Sequence, residues 1–263
     1  MLKEELRENV FSRWFLAAFL VMLLTLLSMS LPERIVSRGD EEQYRMSALQ
    51  LAILPIYFGG VMLLFPFCAC TAAAPQQTIE IRTGFAKWKI MRGGLNAYLR
   101  RKAIAGFVSG GLSVMLAFVA HAVIWALIAM PSQPELYGTH EIPYRPDTIY
   151  YPLVGIAHGW PVLLWKAGGI FVMGGVWATV GMAVAWWLAD PLLAVSLPTF
   201  LYYLWNSPAS GLLGYRLPSA SRLYNDQLTW AIAAEALGVN LAFLALVLLA
   251  CRAALKRRAL HDA

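Results

Sequence analysis

His121, Glu235 and Asn240 are titratable or carboxamide side chains set well inside the apolar runs of this 263-residue sequence. His121 stands about nine residues from one end of residues 103–130, and Glu235 about seven from the matching end of residues 228–251. At about 1.5 Å of helix rise per residue, the two reach similar depth. A carboxylate held in hydrocarbon costs about 2.5–3.5 kcal/mol on insertion scales. Two readings follow. Either His121, Glu235 and Asn240 face a polar translocation pathway or a dimer seam, or His121 and Glu235 form a structural helix–helix hydrogen bond. Hydrolysis within the membrane needs a nucleophile and a base in contact. Ser109 lies three helical turns from His121, too far for that bond, and no second histidine sits in an apolar run. Cys68-x-Cys70 is tighter than zinc spacing and lacks partner ligands, so Cys68, Cys70 and Cys251 read as packing residues. The phosphate-cradling pattern GxxxxGK[ST] does not occur. The chain is therefore not expected to hydrolyse ATP by itself, and neither catalytic residues nor a metal site is expected.

The elements that carry these residues are membrane helices. Hydrophobic residues make up 59% of the chain and charged residues 14%, with a mean hydropathy of +0.59. Soluble domains carry about 25% charged residues. The pattern predicts an all-α integral membrane protein built as one transmembrane domain over 1–263. Six spans are expected, at residues 14–31, 48–70, 103–130, 162–188, 191–206 and 228–251. Pro32 is expected to stop the first, Pro55 and Pro66 to kink the second, and Asp190-Pro191 to make a tight turn before a short fifth. Leu2, Leu6, Val10 and Phe11 share one face of a helix over 1–13, which reads as an amphipathic segment at the membrane surface. Residues 131–162 hold six prolines around the apolar stretch 149–156 and read as an external segment lying in the interface. Residues 207–227 read as a Pro/Gly/Ser loop. Glycines 106, 110 and 111, and 168, 169, 174, 175 and 181, permit close helix approach.

Charge sets the orientation. Seven of the 21 Lys and Arg residues fall between residues 71 and 102, opposed only by Glu80. Counting the termini with this loop, 14 of the 21 lie on one side of the six spans and seven on the other. The excess marks both termini and the 71–102 loop as cytoplasmic. A net charge of +6 placed beside spans sets topology and does not indicate nucleic acid. The loop itself has two readings. It is a topology signal touching anionic lipid, or it holds a helix over 76–90, broken at Arg92-Gly93-Gly94, whose Ile79, Ile81, Phe85 and Trp88 dock in a partner's groove.

The run Ile79-Glu80-Ile81-Arg82-Thr83-Gly84-Phe85, then Ile90-Met91-Arg92, Tyr98-Leu99-Arg100-Arg101-Lys102, Gly106 and Gly110-Gly111 resembles membrane permease subunits of type-2 ATP-binding-cassette exporters, the small kind of Gram-positive bacteria. The resemblance covers most of the chain. It implies export of an amphiphilic cargo such as a peptide, drug or lipid-like molecule, a dimer with a second permease copy or paralogue, and separate cytoplasmic ATPase subunits that hold ATP and Mg²⁺. Carried onto this sequence, it places Glu80, Arg82, Gly84, Phe85, Trp88 and Arg92 at the coupling interface with the ATPase. It also matches residues 1–13 to the interfacial helix before the first span. The competing expectation is a membrane immunity or scaffold protein that transports nothing.

Overall fold

A computed structural model describes residues 2–37, 47–57, 59–129, 147–154, 156–206 and 228–261. Among these residues all regular structure is helical. The elements are α1 (Leu2–Val10), α2 (Arg13–Ser37), α3 (Ala48–Tyr57), α4 (Gly59–Thr71), α5 (Ala74–Arg82), α6 (Phe85–Gly93), α7 (Leu95–Ile128), α8 (Tyr151–Val154), a 3₁₀ turn (Ala157–Gly159), α9 (Trp160–Leu188), α10 (Pro191–Asn206) and α11 (Trp230–His261). Four stretches are long and apolar enough to cross a membrane: Arg13–Pro32, Leu95–Ile128, Ala157–Leu188 and Trp230–Arg257. The chain is thus an all-helical protein of membrane character.

Several boundaries differ from the sequence reading, each for a local reason. Pro32 does not end the first helix. Proline removes a single rung of the ladder, and α2 continues to Ser37 while its apolar stretch ends at Pro32. Residues 48–70 form two helices, α3 and α4, with Pro55 inside one, Pro66 inside the other and Gly59-Gly60 opening the second. The helix expected over 76–90 is divided at Gly84, whose φ of 72° lies in the left-handed region that glycine enters without steric cost. Gly94, with φ of 77°, ends α6 as the Arg92-Gly93-Gly94 break predicts. The third span is expected at 103–130, but its helix, α7, already begins at Leu95 and runs for 34 residues. Ile149 and Tyr150 are buried against the protein while Tyr151 and Ile156 of the same stretch are exposed, and the Ile149 N–H donates to the Leu228 carbonyl at 2.9 Å. Residues 131–146 and 207–227, with most of the external segments predicted there, lie outside the described residues.

The turn at Asp190 forms as expected. Its Oδ1 accepts from the N–H groups of Leu192 (2.9 Å) and Leu193 (3.0 Å), capping α10, while Ala189 takes a left-handed φ of 53°.

α9 is the centre of the bundle. Its most apolar window is 72% buried, against 22% for α2, 44% for α7 and 17% for α11. Glycine makes this possible on the α7 side. A Cβ added at Gly110 would stand 2.2 Å from the Ala178 Cβ and 2.9 Å from the Ala69 carbonyl, and one at Gly174 would stand 2.5 Å from Val114 Cγ2. At Gly168 an added Cβ meets nothing within 4 Å. Gly110→Ala is therefore expected to destabilise by about 1–3 kcal/mol through overpacking. Gly168→Ala is expected to leave stability unchanged or raise it slightly. Thermal midpoints of the two variants in the same detergent check this. Equal midpoints would refute the close approach of α7 and α9.

Candidate functional site

The basic end of the bundle is organised around a buried ion cluster. α5 presents Glu80, 8% exposed, toward the first turns of α7, where Lys102 is 2% exposed. Lys102 Nζ stands 2.6 Å from Glu80 Oε1 and also bonds Glu5 Oε2 of α1. Lys89 of α6 completes the group, with its Nζ 2.7 Å from Glu5 Oε1 and 3.2 Å from Glu80 Oε1. Gln77 Nε2 donates to the Tyr98 hydroxyl at 2.8 Å, and that hydroxyl meets Glu80 Oε2 at 3.4 Å. Two ammonium groups thus meet two buried carboxylates, with the exposed Glu8 carboxylate 4.0 Å from Lys89 Nζ, in a site shared by α1, α5, α6 and α7. Oxygens of Glu5, Glu8 and Glu80 lie within 4.8 Å of one another. The lysines pair with the buried carboxylates, so the arrangement is an ion-pair network.

The cluster shifts its own titrations. Burial opposes ionisation of Glu5, but the Lys102 charge and the hydrogen bonds from Lys102 and Lys89 outweigh it and hold the carboxyl below its ordinary range. Burial also works against charge on Lys89, yet the Glu5 hydrogen bond and the Glu80 and Glu5 charges raise it above its ordinary range. A lowered carboxyl adds stability that is present above the ordinary carboxylate pKa and is lost as pH falls through the lowered value. A raised ammonium adds stability that is full below the ordinary lysine pKa and is lost as pH rises through the raised value. The clasp on α1 is accordingly firm between those limits. A fluorophore on a cysteine replacing the exposed Lys3 should keep constant anisotropy through neutral pH and lose it below the ordinary carboxylate range. Constant anisotropy across that range would show that Glu5 does not hold α1.

α5 has a second brace. Arg82 Nε donates to the Ala189 carbonyl at 2.7 Å, and its guanidinium pairs with Asp190 Oδ2 at 3.4 Å. α5 is therefore tied to α7 through Glu80 and to the α9–α10 turn through Arg82. With the charges so directed, the apolar side chains face out. Ile79 is 47% exposed, Phe85 52%, Trp88 60% and Met91 62%. Gly84 and Arg92 are exposed beside them. Of the residues named for a coupling interface, Gly84, Phe85, Trp88 and Arg92 lie on this outer face, whereas Glu80 and Arg82 reach into the chain.

His121 is fully buried between α2 and α7. Its Nε2 lies 3.0 Å from Ser30 Oγ and 2.9 Å from Trp125 Nε1, and Trp125 Nε1 also reaches Ser30 Oγ at 3.0 Å. Its Nδ1 makes no hydrogen bond among the described residues. Glu235 is exposed on α11, and the structure does not bond it to His121. Asn240 is buried on α11, its Nδ2 donating to the Ala236 carbonyl at 2.8 Å. The three residues are not brought together.

Sequence reasoning missed Glu5, Lys89, Lys102, Ser30 and Trp125. A signal existed for Lys102 alone. It is the last cation of the basic run and the one that directly adjoins an apolar helix.

No family model matches this chain, and neither a curated protein nor a solved structure is similar to it.

Proposed function

We propose that this chain is the membrane-embedded permease subunit of an ATP-driven exporter of the type-2 ATP-binding-cassette class. It moves an amphiphilic peptide, drug or lipid-like cargo across the cytoplasmic membrane, with ATP and Mg²⁺ held by a separate ATPase subunit. One observation carries this reading. The α5–α6 elbow engages Glu80 and Lys89 in the ion cluster and leaves Phe85, Trp88 and Met91 exposed, alongside the exposed cations Arg82, Lys87 and Arg92. An exposed aromatic face on a rigidly braced support suits a partner's groove.

On this reading α3 and α4 together make one crossing and α10 a short one, giving six spans with both termini in the cytoplasm and two permease copies per transporter. Phe85, Trp88 and Arg92 meet the ATPase, and Gly84 sets the angle of the elbow. Glu80 and Arg82 act as struts that carry displacement of the elbow to α7 and to the α9–α10 turn. The test is recovery of the tagged chain from native membranes in mild detergent, followed by identification of co-purifying chains. An ATPase subunit recovered at one per permease supports the reading. Recovery alone, or with membrane partners that lack an ATPase, refutes it in favour of an immunity or scaffold protein.

A further inference from the structure

Two aromatic contacts lie near the ends of the α9–α11 seam. At one, the Trp165 and Trp230 rings stand 5.7 Å apart, edge to face. At the other, the Arg257 guanidinium of α11 lies over the Trp187 ring of α9, its Cζ 5.7 Å from the ring centroid. Trp165 and Trp187 are 22 residues apart in α9, and Trp230 and Arg257 are 27 apart in α11. At ~1.5 Å per residue these separations are about 33 and 40 Å. The hydrocarbon core of a bilayer is about 30 Å thick, and about 40–45 Å with its headgroup layers. Both helices are long and apolar enough to cross a membrane. The two contacts therefore bracket the hydrocarbon, and Arg257 reaches the headgroup layer at the basic end.

A guanidinium stacked on an indole commits its face and leaves its edge N–H donors to fork onto an oxyanion. The protein supplies no such anion. Among the described residues Arg257 forms no ion pair, nor do Arg252 and Lys256, which are exposed within a turn and a half of it. α11 carries no acidic residue between Glu235 and Arg257. Asp190, three residues beyond Trp187, is engaged by Arg82 and by the N–H groups it caps.

The outer side of α11 leads from these cations into hydrocarbon. Leu246, Ala250, Ala253 and Arg257 recur at four-, three- and four-residue spacing, so they share one helix face, and all four are exposed. Small side chains at Ala250 and Ala253 keep that face low between Leu246 and the guanidinium. The track covers about 16 Å of helix. A ligand that fits has a net negative head at headgroup depth and a hydrocarbon tail continuous with it. An acidic protein surface supplies the charge but no chain that follows it into the membrane. A zwitterionic phospholipid supplies the chain, but its own cation offsets its phosphate. A basic pocket between helix ends at this depth suits an anionic headgroup.

We propose that the Trp187–Arg257 corner of α9 and α11 is a binding site for one anionic phospholipid of the adjoining leaflet. Its phosphate rests on the Arg257 guanidinium, with Lys256 and Arg252 adding attraction, and one acyl chain lies along Ala253, Ala250 and Leu246. The site makes no use of the α5–α6 elbow and holds whether or not an ATPase docks there.

The test is native mass spectrometry of the full chain in detergent, with equal amounts of dioleoyl phosphatidylglycerol and dioleoyl phosphatidylcholine. Wild type is expected to retain a single phosphatidylglycerol at least about fivefold over phosphatidylcholine, the effect of one cation close to an anionic surface. Arg257→Gln should bring the two lipids close to parity. Trp187→Leu keeps every charge and should also lower the preference severalfold, because it removes the surface that orients the guanidinium. Arg257 and Trp187 are both exposed, so the variants should match the wild-type thermal midpoint without added lipid. Arg100→Gln removes an exposed cation of the same end outside the corner and should leave the preference unchanged. Equal retention of the two lipids by wild type overturns the site, as does an unchanged preference in both Arg257→Gln and Trp187→Leu. A loss with Arg100→Gln as large as with Arg257→Gln overturns it in favour of diffuse attraction. An acidic protein recovered with wild type and lost with Arg257→Gln, while the lipid preference stays unchanged, overturns it in favour of a protein partner.

Discussion

Lys102→Met is expected to destabilise the protein by about 3–5 kcal/mol, the largest effect of any single substitution at the basic end. Removing one partner of a buried ion pair leaves its counter-charge desolvated and uncompensated. Here the loss strands two carboxylates, Glu5 and Glu80, with only Lys89 between them. The double variant Lys102→Met with Glu80→Gln should recover most of the loss, because it leaves a neutral Lys89–Glu5 pair. Non-additivity of that size is the signature of side chains in one network. Denaturant midpoints in a single detergent measure both. A cost under about 1 kcal/mol for the single variant would match an exposed ion pair and would contradict the burial of Lys102.

Replacing Phe85 and Trp88 together by alanine is expected to abolish recovery of an ATPase with the tagged chain while leaving its thermal midpoint unchanged. Both residues are more than half exposed, and the Lys89 ammonium 5.0 Å from the Phe85 ring keeps its bonds to Glu5 and Glu80 without it, so the fold depends little on them. Aromatic anchors at the centre of an interface cost at least about 2 kcal/mol each on truncation, which is about 30-fold in affinity per residue. The Lys102 variants separate stability from docking in the opposite sense. The double variant Lys102→Met with Glu80→Gln keeps the outer face of α6, and it should retain ATPase recovery in proportion to its folded fraction. Undiminished recovery with Phe85→Ala and Trp88→Ala would remove the elbow from the partner interface.

The spans were legible in the sequence where a single long apolar run was uninterrupted. α2, α7, α9 and α11 all fall on such runs, and the capping carboxylate of Asp190 marked the start of α10. Errors arose where proline or glycine had to be weighed against a continuing helix. Pro32 costs α2 one rung and is crossed, whereas Gly84 splits α5 from α6 because it supplies a left-handed φ at a position where the chain must turn. The site was less legible. The apolar face of α1 was visible in Leu2, Leu6 and Val10, but the residues it buries deepest are Glu5 and Asn9. That choice is dictated by Lys89 and Lys102, far along the chain, and helical spacing carries no record of such a partner. The match of depth between His121 and Glu235 was real in sequence, but depth alone does not fix the direction of a side chain around its helix. Ser30 satisfies His121 instead, 91 residues away in sequence.

The burial of α9 also bears on how the protein is made. The helix at the middle of the bundle begins at Trp160, so α3, α4, α5 and α7 leave the ribosome before the element they share exists. Until then the glycine-lined side of α7 lies open to lipid, where small residues find few contacts. The first half of the chain already carries the Ser30–His121 bond between α2 and α7 and the ion cluster of α1, α5, α6 and α7, and the arrival of α9 closes the packing around them.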